Sequence, residues 1–82
     1  MPTNQFLNLE VEKQHRIIRA AITEFAQNTY VNASTNRIVK ECSISKGSLF
    51  KYFIDKEDLY FFILDTVMGE MLRDMESEVT GV

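Results

Sequence analysis

The sequence is poor in the residues that cross-link, break or anchor a chain. Cys42 is the one cysteine in 82 residues, so no internal disulfide can form. With His15 the one histidine, no Cys/His cluster has the spacing of a zinc site. One proline and three glycines leave long helices permitted. No run of about 18 apolar residues occurs, which excludes a transmembrane helix. The longest apolar run is Leu59 to Leu64. Met1 to Gln5 carry no basic side chain and lead into no apolar stretch, so a secretion signal is not expected. A reducing cytoplasm fits the cysteine content. No five-residue stretch alternates with period two, so no strand is expected. There is no nucleophile–base pair, acidic metal cluster or Gly-rich phosphate loop, so neither an enzyme nor a cofactor is expected.

What is present is ordinary globular material, 45% apolar and 26% charged, enough for one domain. The net charge of −3 hides a segregation. Residues 1–33 are neutral, residues 34–56 carry +3 and residues 57–82 carry −6. A basic middle invites an anionic partner.

Helical periodicity organises the chain. Ile18, Ala21, Ile22 and Phe25 follow an i, i+3, i+4, i+7 stripe, which predicts a first helix over about 9–27, capped by Asn8. Tyr30 and Val31 read as loop anchors. Ser34 caps a second helix that buries Ile38, Val39 and Cys42. After the turn Ser43-Ile44, Ser45 caps a third helix from Lys46 to about Phe53. Asp55 caps a fourth, with Asp58 completing a capping box, that runs towards Glu76 or beyond. The expected fold is all-α: a flexible arm over 1–8, a three-helix helix-turn-helix domain over 9–55, and a longer fourth helix over 56–82. That helix is apolar on two faces. Leu59, Phe62, Ile63 and Thr66 form one; Tyr60, Phe61, Leu64, Val67, Met68, Met71, Leu72 and Met75 form the other. Three short helices offer too little surface for both.

Two short helices joined by a tight turn suit the major groove of double-stranded DNA. Lys46 and Lys56 each open a predicted helix, where a cation opposes the helix dipole unless an anion is the guest. Ser34, Thr35 and Arg37 surround a third helix start of the same kind. The competing expectation is a helical protein-interaction module that uses the second face of the fourth helix.

Residues 16–64 resemble the DNA-binding domain of the TetR family of bacterial transcriptional regulators. The resemblance rests on Ile18, Ala20, Ala21, Phe25, Tyr30, Ser34-Thr35, Ile38-Val39, the run from Ser45 to Phe53, and Asp55-Lys56-Glu57-Asp58-Leu59. It implies that Ser45, Lys46, Gly47 and Ser48 approach DNA. Phe50, in place of the usual Tyr, would stack near a sugar or a thymine methyl. Lys51, Tyr52 and Lys56 would meet phosphates. It further implies a repressor, a homodimer formed through a C-terminal effector domain that this chain lacks, and a small-molecule effector; no membrane is involved. Ser43 stands where the family turn usually has Gly, a substitution costing about 1 kcal/mol if φ there is positive.

Overall fold

The computed structural model of the chain describes residues 1–80, with side chains to Gly69. Every regular element among them is a helix: α1 (Asn4–Leu7), α2 (Val11–Gln27), α3 (Thr35–Cys42), α4 (Lys46–Tyr52) and α5 (Lys56–Thr80). The expected helices 9–27, 35–42, 46–53 and the long fourth are α2 to α5. The side chains of Met71, Leu72 and Met75, assigned to the second face of α5, lie outside the described residues.

Three of the expected caps form as the local sequence dictates. Ser34 accepts from the Arg37 amide at 3.2 Å and Ser45 from the Ser48 amide at 3.0 Å. Asp55 accepts from the Asp58 amide at 2.8 Å, while the Asp58 carboxylate reaches back one residue beyond the usual capping box, to the Ile54 amide at 3.1 Å.

The first expected cap is displaced. Asn8 ends α1 instead of opening α2, whose N-cap position is Glu10, without a side-chain cap bond. The expected flexible arm over 1–8 is instead packed. Phe6 is 1% exposed, with its ring centroid 5.0 Å from Phe53, 5.6 Å from Phe62 and 6.1 Å from Tyr52. The reason is one that local pattern cannot reveal: α4 and α5 share little direct packing, and an aromatic side chain from the N-terminal segment fills the space between them. Val31 is not an anchor either; it is exposed, and Ala33 is the buried residue of that loop.

Around Phe6 the core gathers Ile17, Ala20 and Ala21 of α2, Ile38 and Cys42 of α3, Leu49 and Tyr52 of α4, Phe53, and Leu59 and Ile63 of α5. The predicted α2 stripe is rotated by one position: Ile17, Ala20 and Ala21 are fully inside, and Ile18, Ile22 and Phe25 pack at its edge. On the second face of α5, Tyr60 is covered by Phe25 and Tyr30, with centroids 5.0 and 4.9 Å away. Phe61, Leu64, Val67 and Met68 remain exposed.

Ser43 takes the left-handed conformation, φ 59° and ψ 41°. Its amide bonds the Lys40 carbonyl at 3.4 Å and the Ile44 amide bonds the Val39 carbonyl at 3.1 Å. This is a Schellman closure of α3, completed by the partly buried pair Val39 and Ile44. It fixes the exit direction of α3 and therefore the angle at which α4 follows. Glycine takes this conformation without the penalty a Cβ incurs. Ser43→Gly is expected to raise the urea midpoint, by about 0.5–1 kcal/mol of stability at an unchanged m-value. A lowered midpoint would show that the seryl side chain holds the turn.

Candidate nucleic-acid interface

The α3–turn–α4 unit presents one face of α4 outward. Leu49, Tyr52 and Phe53 point into the core, which leaves Gly47 and Lys51, one turn apart, on the opposite side. Lys46 and Phe50 flank them and are exposed, and Ser48 is half-buried. The ammonium groups of Lys46 and Lys51 form no hydrogen bond or ion pair among the described residues, so both are free for an external anion. Ser45 Oγ donates to Ser48 Oγ at 2.9 Å while accepting from the Ser48 amide, which ties the first turn together. The Ser48 hydroxyl keeps its proton available for an outside acceptor.

Tyr52 combines two environments. Its side chain is 8% exposed, in edge contact with Phe6. Its hydroxyl has no hydrogen-bond partner among the described residues, yet no buried oxygen is left unsatisfied, so the hydroxyl reaches the surface. The sequence expectation of a phosphate contact and the core role are therefore compatible: the ring anchors α4 and the hydroxyl faces out.

Two of the expected phosphate ligands are otherwise engaged. Lys56 donates to the carbonyls of Tyr30 at 2.8 Å, Ala33 at 3.2 Å and Val31 at 3.4 Å, and its ammonium lies 4.6 Å from the centre of the Tyr30 ring. All three ammonium protons have protein acceptors. Lys56 therefore staples the start of α5 to the α2–α3 loop. The physical reason is proximity: three carbonyls left unpaired by the irregular loop converge where α5 begins, and a long cationic side chain satisfies them together.

Arg37 is the second. Its Nε lies 3.1 and 3.0 Å from the two Glu24 oxygens, its Nη2 is 2.6 Å from Oε2, and the same Nη2 reaches the Asn32 carbonyl at 3.1 Å. Glu24 is only 7% exposed and also accepts from the Ser34 amide at 2.9 Å and the Asn28 side chain at 3.1 Å. The Arg37 hydrogen bonds hold the Glu24 carboxyl below the usual carboxylate range, with the Ser34 amide acting in the same direction and burial opposing both. Sequence reasoning missed Glu24. Its signal was position: it stands one turn after Ala20, on the inward stripe of α2, where an acid needs a cation.

Because the folded-state pKa of Glu24 is depressed, its contribution to stability is present above the ordinary glutamate value and is lost as the pH falls through the lower folded value. Glu24→Gln is expected to destabilise the head by about 1–2 kcal/mol at neutral pH, mainly through weakened bonds to buried partners. The Arg37 pairing is discounted because that side chain is 58% exposed. The variant should also flatten the fall in stability as the pH drops from the ordinary glutamate value through the lower folded one. Denaturant midpoints across that range check it; parallel curves for the two proteins would remove Glu24 as the acid-sensitive group.

Ser34 and Thr35 stand at the start of α3, each half-buried. The structure thus brings Lys46, Gly47, Phe50 and Lys51 onto one exposed face of α4. It sets Ser34, Thr35, Ser45, Ser48 and Tyr52 at helix starts or edges, and turns Lys56 and most of Arg37 to internal partners. No group of three or more potential metal ligands occurs among the described residues, and no helix among them is long and apolar enough to cross a membrane.

A tri-helical core with a Schellman-closed turn feeding an exposed, basic short helix defines a helix-turn-helix head. Residues 17–61, more than half of the chain, match the family described as bacterial regulatory proteins, tetR family, and the chain belongs to that family. It is 42% identical over 78 residues to the HTH-type transcriptional regulator UidR of Escherichia coli K12, covering 92% of this chain and 40% of UidR. It is 30% identical over 71 residues to the HTH-type transcriptional regulator HbdR of Aromatoleum sp. strain CIB, covering 87% of this chain and 31% of HbdR. The crystal structure of a TetR family transcriptional regulator from Chloroflexus aurantiacus J-10-fl superimposes with a TM-score of 0.89 at 39% identity, over 94% of this chain and 36% of that one. The chain thus spans about a third to two-fifths of these proteins.

Proposed function

We propose that this head reads double-stranded DNA as the N-terminal part of a transcriptional regulator, with α4 in the major groove. The observation that carries this is the exposed face of α4, where two lysines without protein partners flank a side-chain-free position on a helix held rigidly from behind. Lys46, Gly47, Phe50 and Lys51 face the groove, with the two lysine ammonium groups reaching the phosphates along its edges; Ser34, Thr35, Ser45, Ser48 and the Tyr52 hydroxyl meet the flanking phosphates. Arg37 keeps a side chain that is 58% exposed beside its pairing with Glu24, whereas Lys56 supports the fold. The regulator as a whole acts in the cytoplasm as a homodimeric repressor released by a small molecule. The exposed Phe61, Leu64, Val67 and Met68 face is where the rest of such a protein packs; a protein-interaction role for this face alone is the weaker reading, because it leaves the unpartnered lysines of α4 without a purpose.

Fluorescence anisotropy of the 82-residue chain with duplex DNA tests the assignment. Binding should weaken steeply with salt. The Lys46→Ala, Lys51→Ala double variant should shallow the logarithmic salt slope by about 2, since each phosphate contact contributes about 0.9. Lys56→Ala should leave the slope unchanged and lower the melting temperature. No binding at low salt, or a slope that responds to Lys56 and not to the lysines of α4, would overturn the assignment.

A further inference from the structure

We propose that the N-terminal segment is the C-terminal cap of the reading helix, and that Thr3 and Gln14 are positioning residues for DNA recognition. The inference rests on the assignment of α4 as the reader. A helix of seven residues ends with most of its last carbonyls lacking helical partners. In α4 two of these carbonyls are taken by one residue more than forty positions away. The Thr3 hydroxyl donates to the Lys51 carbonyl at 2.6 Å, and the Thr3 amide donates to the Tyr52 carbonyl at 2.9 Å. Both acceptors belong to residues assigned to the DNA-facing surface, so Thr3 holds the backbone from which those side chains project.

The packing gives the contact its leverage. Among the helices, α4 packs chiefly on α3 and α1. Its first end is oriented by the Ser43 turn; its second end is held by the N-terminal segment, with Phe6 wedged between Tyr52 and Phe62 of α5. The segment is itself clamped. The Gln14 side-chain amide sits within hydrogen-bond distance of three carbonyls, Phe6 at 3.0 Å, Leu7 at 3.1 Å and Leu9 at 3.2 Å. These are the carbonyls exposed where α1 ends and the chain turns into α2, and one side chain of α2 gathers them. The sequence of attachments therefore runs from Gln14 to the α1 turn, from Phe6 into the core, and from Thr3 to the end of α4. Sequence discrimination needs groups held within about half an ångström of their productive positions, and a fraying last turn of α4 would release Lys51 and Tyr52 from theirs. General attraction to phosphates tolerates such play, because it depends on charge rather than register.

The test uses the 82-residue chain and two duplexes, one selected by that chain from a random pool and one unselected. Thr3→Val removes the hydroxyl at constant shape, and Gln14→Met removes the amide at similar length. Each is expected to weaken binding to the selected duplex about threefold to tenfold, the range of one to two hydrogen bonds. Affinity for the unselected duplex should stay within about twofold, and Thr3→Ser should restore selected binding. Selected affinity unchanged in both variants, or equal loss on both duplexes, overturns the positioning role. An unaltered chain that binds neither duplex overturns the reading-helix assignment instead, so the two failures are distinguishable.

Discussion

Replacing Phe6 with alanine is expected to lower the stability of the head by about 3–5 kcal/mol, the range for deleting a buried aromatic side chain. The ring is among the most completely enclosed side chains in the molecule and contacts aromatic rings of α4, the α4–α5 connection and α5. Its removal leaves a cavity between elements that otherwise share little direct packing, so collapse around the gap would have to move α4. A small domain has a total stability of about 5–15 kcal/mol, and one of this size lies towards the low end. At roughly 4–8 °C per kcal/mol, the melting temperature should fall by about 12–40 °C, read by circular dichroism at the helical band. Phe6→Leu, which keeps most of the volume, should recover more than half of the loss. A fall of under about 1 kcal/mol for the alanine variant would mean that the N-terminal segment is not docked in solution, and the positioning role of Thr3 would fall with it.

The contrast between Phe6 and Ser45 shows what the sequence discloses. Ser45 and Ser34 are legible because a cap is a contact over three residues, written in the chain itself. The long α5 is legible for the same reason: Asp55 opens it, and no breaker follows until well past the core. The turn at Ser43 was legible as a mismatch, a serine where a left-handed residue is needed. Phe6, Glu24 and Lys56 were not legible. Each acts through partners 10 to 56 positions away or through a wedge between two elements, and no periodicity records such a partner. Phe6 lies in a segment too short for a stripe, although Thr3 before it and Asn8 after it have the chemistry of helix ends. Lys56 illustrates how the same residue type misleads: a lysine at a helix start reads as an anion site until the loop carbonyls that consume it are in place. The proposed reading face does not depend on Lys56, because its lysines project from the side of α4 opposite the core, which the spacing of Leu49 and Phe53 already dictated.

Gly47→Ala is expected to stabilise the fold and to damage DNA binding, and the opposite signs make it the sharpest test of what α4 is for. A methyl group at position 47 would meet nothing within the protein nearer than Ser45 Oγ at 3.9 Å, an ordinary contact. The backbone there is helical with negative φ, so no conformational need calls for glycine. Glycine inside a helix costs about 0.5–1 kcal/mol relative to alanine, and less near an end, so the variant should melt at the same temperature or slightly higher. The fold thus carries a weak residue in the exposed first turn of α4 without internal benefit. On the proposed reading the benefit lies outside: the position faces away from Leu49 and the core, one turn before Lys51, where a groove edge or a phosphate would approach the helix backbone most closely. A methyl group inserted into a close-packed contact costs about 1–3 kcal/mol, which corresponds to roughly 5- to 150-fold in affinity. Melting and anisotropy measured on the same preparation read the two effects together. A loss of affinity accompanied by unfolding would attribute the defect to the fold; unchanged affinity at raised stability would show that no ligand approaches α4 along this face.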